Sequence, residues 1–202
     1  MNALPINLEQ TEKYKNKVLL KQTENLPCKI IEINGKPYLE RYFVGHNAAG
    51  DQLWLHHFLT ADGERHHHSH PWHATSEILT GGYCEETLTL HSSPELPEIL
   101  GAAGTSIFDW LWANNTTARI KNERWFLAGD KNHITPSTLH RITEVKPNTW
   151  SALTVSSARA ASWFFIDEND NRHTMATSPS DWWKTCTTRD GGCYDRNALA
   201  LA

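Results

Sequence analysis

The sequence predicts an all-β protein, an antiparallel sandwich or barrel occupying roughly residues 28–168. Three observations carry that expectation. Short runs rich in β-branched and aromatic residues recur from Cys28 onward, turn residues punctuate them closely, and no long helical apolar period intervenes. Residues 1–27 are polar and read as an N-terminal arm or one weak helix over 8–20. CKIIEIN, Gly35-Lys36-Pro37 and YLERYFV then make a hairpin. The further strand candidates are QLWLHHFLT, ILTGGYCEETLTL, SIFDWLWA, RWFLA, LHRITEV, WSALTVS and SWFFID. Residues 169–202 return to polar sequence as a C-terminal extension, with Asp181-Trp182-Trp183 expected to dock back on the barrel.

Composition excludes several classes. The 19 Lys and Arg against 23 Asp and Glu leave a formal charge of −4, which argues against a nucleic-acid protein built on phosphate contacts. No run approaches the roughly 18–20 apolar residues needed to span a bilayer. The opening MNALPINLEQTEKYKNK lacks the marks of a secretory or transit signal, so a cytoplasmic location is expected. Cys28, Cys84, Cys186 and Cys193 form no CxxC pair and are then expected to be reduced thiols, the alternative for Cys186 and Cys193 being a small closed loop or a share in a metal site. Two counts stand out, 12 His and 9 Trp. Trp54, Trp110, Trp112, Trp125, Trp150 and Trp163 lie in strand candidates and are expected mostly in the core, with one or two walling a pocket.

The densest chemistry lies in His66-His67-His68-Ser69-His70-Pro71-Trp72-His73. On an extended chain, residues i and i+2 share a face, so His68 and His70 can offer two imidazoles to one ion. His66 has their parity but lies nearer the preceding turn, and Pro71 marks a bulge or edge. Two ligands make a poor site. A third is expected from His140, which begins a strand-like stretch after the turn containing Pro136. Three imidazoles leave positions open for water, substrate or O₂. His56, His91 and His173 read as structural.

In these residues the chain resembles the cupin superfamily. His68-Ser69-His70 supplies the HXH of the motif G(X)5HXH(X)3-4E(X)6G, with Gly82 at its closing glycine and Gly63 one position from its opening one. Gly129, Pro136 and His140 echo the second motif, G(X)5PXG(X)2H(X)3N. More narrowly, HSHPWHATSEILTGGYCEE, LHRITEV and WSALTVSSARAASWFFID resemble small bacterial and phage cupin-like proteins. The resemblance implies a double-stranded β-helix, or jelly-roll, barrel with a metal held by His68, His70 and His140. The chain departs from the pattern at Thr75, which stands where the motif has glutamate. Glu77, two residues on and of the same strand parity, is the alternative carboxylate; a site of three histidines alone is preferred.

Imidazole with at most one carboxylate suits Fe, Ni, Cu or Zn and disfavours Mg or Ca. The leading expectation is an Fe(II)-dependent oxygenase hydroxylating, desaturating or dioxygenating a small polar, amino-acid-like substrate, with 2-oxoglutarate as a candidate co-substrate. Glu77 and Tyr83 are the catalytic candidates. A guanidinium matches a carboxylate bidentately, which points to Arg41, Arg119, Arg124, Arg141 or Arg159, with Arg124 and Arg141 as the substrate-binding choice. The competing expectations are a non-redox Zn or Ni isomerase or lyase and a binding module without catalysis. Fold alone does not choose among them. Sheet edges need covering, so a homodimer is expected, with CKIIEIN as one candidate edge.

Overall fold

Residues 8–33, 35–62, 66–91, 118–159, 163–174 and 181–195 are described by the computed structural model. The expected strand SIFDWLWA, with Trp110 and Trp112, and the motif position Gly63 lie outside them. A helix, α1 (Leu8–Thr23), is followed by β1 (Cys28–Ile33), β2 (Lys36–His46), β3 (Gln52–Phe58) and β4 (His67–His68). The chain continues through β5 (Trp72–Thr80), β6 (Gly82–His91), β7 (Ala118–Leu127), β8 (Lys131–Ile134) and β9 (Leu139–Val145). Last come β10 (Thr149–Arg159), β11 (Phe164–Ile166), β12 (Arg172–Thr174) and β13 (Tyr194–Asp195).

These strands form two facing sheets, the two-layer arrangement of a jelly roll. One sheet runs β13-β1-β2-β3-β10-β5-β8 and the other β12-β11-β4-β9-β6-β7. All pairings among the described residues are antiparallel except β1 with β13. Alternation sets what meets between the sheets. Leu39, Phe58 and Ile78 of the first sheet pack in one cluster with Tyr83, Phe126 and Ile142 of the second.

The opposite face of the first sheet is covered by α1. Leu19, Leu20 and Leu26 pack against Cys28, Ile30, Tyr42 and Trp150, and the Trp150 indole N–H donates to Asn16 Oδ1 at 2.7 Å. Trp150 is therefore buried outside the two-sheet core, and Trp125, at 40% exposure on β7, belongs to no core; both differ from the expectation for tryptophans in strands.

ILTGGYCEETLTL divides into β5 and β6 at Gly81-Gly82. Gly81 has φ +65°, and a Cβ there would lie 2.4 Å from Thr149 Oγ1. The turn sends the chain from one sheet to the other, and the Gly82 N–H is received by Thr149 Oγ1 at 2.9 Å.

The C-terminal segment folds back, as Asp181-Trp182-Trp183 suggested, and β13 pairs along β1. That edge, expected to be available to a second copy, is thus covered within the chain. Cys186 and Cys193 are joined in a disulfide, which corrects the expectation of four reduced thiols; the fold-back brings their Cα atoms to 5.4 Å. Cys28 and Cys84 are free and buried. No helix among the described residues is long and apolar enough to cross a membrane.

Candidate metal centre

The site forms where the chain passes from one sheet to the other. β4 is two residues long, and in it His68 stands directly opposite His140 of β9. The Ser69 N–H donates to Phe164 O at 2.8 Å, after which Pro71 leads the chain into β5 of the facing sheet. His70 lies on this crossing. Its position therefore follows from the change of sheet and not from strand parity.

His70 Nε2 lies 2.9 Å from His140 Nε2, and one donor atom from each of His68, His70 and His140 lies within 4.8 Å of the others. Neighbouring nitrogens on one ion with bonds of about 2.0–2.1 Å are about 3.0–3.4 Å apart, so the spacing fits a single first-row metal. The His70 ring is stacked on Trp72 at 4.3 Å, which fixes its plane.

Glu85 completes the arrangement, and it was absent from the sequence expectations. It is 4% exposed, and His140 Nδ1–H donates to its Oε1. Asn132 Nδ2 donates to the same oxygen at 2.9 Å and to the Tyr83 hydroxyl at 3.2 Å. Burial pushes the Glu85 carboxyl up, but the bonds from His140 and Asn132 and the nearby charge of Arg124 outweigh it, leaving Glu85 below the usual carboxylate range. An ionised carboxylate can only accept, so His140 carries its proton on Nδ1 and presents the Nε2 lone pair to the cluster. This is the carboxylate–histidine support that metal-binding imidazoles commonly have.

The residues expected at the site separate into two groups. His68, His70 and His140 are brought together, and Tyr83 lines the same cavity, its hydroxyl pushed up to about 12 by burial. Glu77, Arg124 and Arg141 are not brought to it. Ser76 turns inward on β5, so Glu77 faces out, where its carboxylate pairs with Lys131 at 3.2 Å. Arg124 is exposed on β7, its guanidinium over Phe126, and Arg141 points to the other side of β9 from His140, with Nε 2.9 Å from Glu86 Oε1.

The cavity holds about 360 Å³. Among the described residues, the guanidiniums that line it are Arg41 and Arg159. Arg41 lies over the Trp54 ring at 4.6 Å, and its Nε donates to His56 Nε2 at 3.2 Å. Burial, then the charge of Arg41, drives the His56 imidazole well below its ordinary value, so it is a neutral acceptor. His56, read as structural from the sequence, is thus the brace of a cavity arginine. The sequence signal for Arg41 and His56 was their inward strand parity, Arg41 with Leu39 and His56 with Trp54 and Phe58.

No protein-family model matches the chain, and no curated protein matches it. Among solved structures it is similar to hydroxypropylphosphonic acid epoxidase from S. wedmorenis, at 11% identity and a TM-score of 0.39 over 66% of this chain. The chain spans 56% of the epoxidase's length. It is also similar to KdgF from Halomonas sp. (14% identity, TM-score 0.32, covering 62% of this chain and 87% of that one). A cupin-like protein from Thermotoga maritima is similar at 12% identity and a TM-score of 0.32, with 74% and 84% covered.

Proposed function

We propose that the chain is a non-haem Fe(II)-dependent oxygenase of the cupin type, acting on a small polar substrate that carries a carboxylate, as an amino acid does. The observation that carries this reading is the inward cluster of His68, His70 and His140, with His140 oriented by Glu85, opening on a cavity that Arg41 lines. Fe(II), if held by His68, His70 and His140, would supply O₂ activation.

The protein's own groups do the rest. Glu85 holds the His140 proton at Nδ1, and Asn132 keeps Glu85 in place. An ion held there would stand where the proton lies between His70 Nε2 and His140 Nε2, with the neutral His70 ring carrying its proton on Nδ1 instead. Arg41 receives the substrate carboxylate in place of Arg124 and Arg141. A 2-oxoglutarate carboxylate would use the same guanidinium. Trp54, Trp72 and Trp163 line the cavity and keep bulk water from it.

A second reading has one observation of its own. Glu77 faces away, so the candidate ligands are imidazoles without a carboxylate, a set that equally suits Zn or Ni in a non-redox isomerase or lyase. Anaerobic reconstitution of untagged protein separates the two. One Fe per chain, absent from His140→Ala, with O₂ uptake that depends on an added carboxylate substrate, is the expected result. Uptake of Zn or Ni in preference to Fe, with no O₂ consumed under any substrate, would replace the oxygenase reading by the second.

A further inference from the structure

Residues 181–195 form a strap across one wall of the cavity. Trp182, in a 3₁₀ turn (Trp182–Lys184), is 4% exposed, lines the cavity and sits edge-on to Trp54 at 6.2 Å. Trp54 in turn meets Trp72 at 6.2 Å, and Trp72 stacks on His70, so ring contacts run from the strap to the histidine cluster. Trp183 lies flat on Phe43 at 4.3 Å.

The strap is held to β1 on both sides of the loop that the disulfide closes. Cys28 N–H donates to Thr187 O and Ile30 N–H to Cys193 O, both at 2.8 Å, and β13 continues the pairing opposite Ile30 and Ile31. Arg189 Nε donates to the buried Glu40 at 2.5 Å. The disulfide joins Cys186, just after the turn bearing Trp182, to Cys193, just before β13. It bypasses the intervening loop. While it stands, Trp182 cannot leave the cavity wall without pulling at the strand anchored on β1; once it is broken, the Trp182 end is tied there through the single Thr187–Cys28 hydrogen bond, and residues 181–186 can swing out while β13 stays paired.

We propose that the strap is a thiol-controlled lid, with the Cys186–Cys193 disulfide holding Trp182 as a cavity wall and its reduction opening that wall. A dithiol reductant attacks Cys193, the less buried sulfur, forming a mixed disulfide. Its second thiol then closes on the first. The protein gains two electrons and two protons as two thiols, and the reductant leaves as its own disulfide.

Metal-free protein serves for the test, so the outcome does not depend on the metal reading. Thiol titration in denaturant comes first, because Cys28 and Cys84 are buried: two thiols before and four after dithiothreitol are expected, and four without reductant would overturn the proposal. Peptide-resolved hydrogen exchange then compares the oxidised, dithiothreitol-treated and Cys193→Ser proteins. Opening a loop of about eight residues predicts roughly 50-fold faster exchange over residues 181–188 in the last two, with the barrel strands unchanged. Uptake of the apolar dye ANS should rise with it, and Trp182→Ala should take up ANS while still oxidised. Equal exchange in all three proteins, or faster exchange throughout the barrel, would refute the lid.

Discussion

Replacing Glu85 by Gln keeps the shape of the side chain and removes its charge. In the native chain one carboxylate oxygen receives both the His140 Nδ1–H and the Asn132 amide, inside a site where Glu85 is 4% exposed. A Gln oxygen can still accept from one of them, but its NH₂ adds donors where only acceptors are wanted. His140 then loses the anion that fixes its tautomer. Removing such a partner costs about 10- to 100-fold in metal affinity, or about 1.4–2.7 kcal/mol. The loss of a charge-assisted bond should also lower folding stability by about 1.5–3 kcal/mol. The assay is competitive titration of metal-free protein with Co(II) against a chelator, followed by the visible bands of the bound ion. Glu77→Gln is the matched control, because that carboxylate pairs with Lys131 on the outside. Unchanged Co(II) affinity in Glu85→Gln, or an equal loss in Glu77→Gln, would refute the role given to Glu85.

Four other outcomes are expected. Gly81→Ala should cost about 2–4 kcal/mol in urea denaturation, because the new Cβ meets Thr149 at 2.4 Å with φ at +65°; Gly129→Ala, with nothing within 4 Å, should cost less. Arg41→Gln should weaken binding of a carboxylate substrate about tenfold or more by calorimetry, while Arg124→Gln leaves it unchanged. Glu40 is pushed up by burial but held below its ordinary 4.5 by His57, Tyr42 and Arg189. Its stabilisation is complete above the unfolded value and disappears as pH falls through the lower folded one, so denaturation from about pH 6 to about pH 3 should show a smaller acid loss in Glu40→Gln. The His66→Ala/His67→Ala double variant should retain one ion per chain by elemental analysis, and His68→Ala should lose it.

The fold was readable because the strand signal is local. Apolar alternation, Gly and Asn turns and the absence of a helical period all act within a few residues, and they located the β1–β2 hairpin, β3, β9 and β10. What escaped were features decided between elements. The Trp125 and Trp150 side chains both lie on strands, yet Trp150 is buried because α1 docks over its sheet, whereas Trp125, on β7 of the other sheet, is 40% exposed. The short β8 pairs β5 through Lys131–Ile134, a stretch with little apolar signal of its own. The disulfide likewise needs the strap to return to β1 before its two cysteines meet.

The histidine cluster shows the same division within eight residues. His67 and His68 are adjacent in β4, so the pleat sends them to opposite faces: His68 toward His140, and His67 to Glu86 at 2.8 Å on the other side. His66 has the parity of His68, yet its ring stacks on Phe165 at 5.4 Å and leaves the cluster. His70 reaches the site through the crossing at Pro71. The HXH spacing thus named two histidines that the fold does bring together with His140, though by the crossing and not by parity, while the carboxylate beside them could not be found by counting from HXH. Glu85 comes from β6, brought beside His140 by a register that shifts between Cys84 and Glu85, and this shift fixes which of the adjacent Glu85 and Glu86 faces inward. The same pair divides the chemistry: the inward carboxylate holds a candidate ligand, and the outward one pairs with Arg141 and Lys121 and lies 2.8 Å from His67. A one-residue slip in β6 would empty one of the two posts: either Cys84 would take the place of Glu85 beside His140, or Thr87 that of Glu86 beside Arg141. The β6–β9 register is therefore as much a part of the candidate site as the imidazoles themselves.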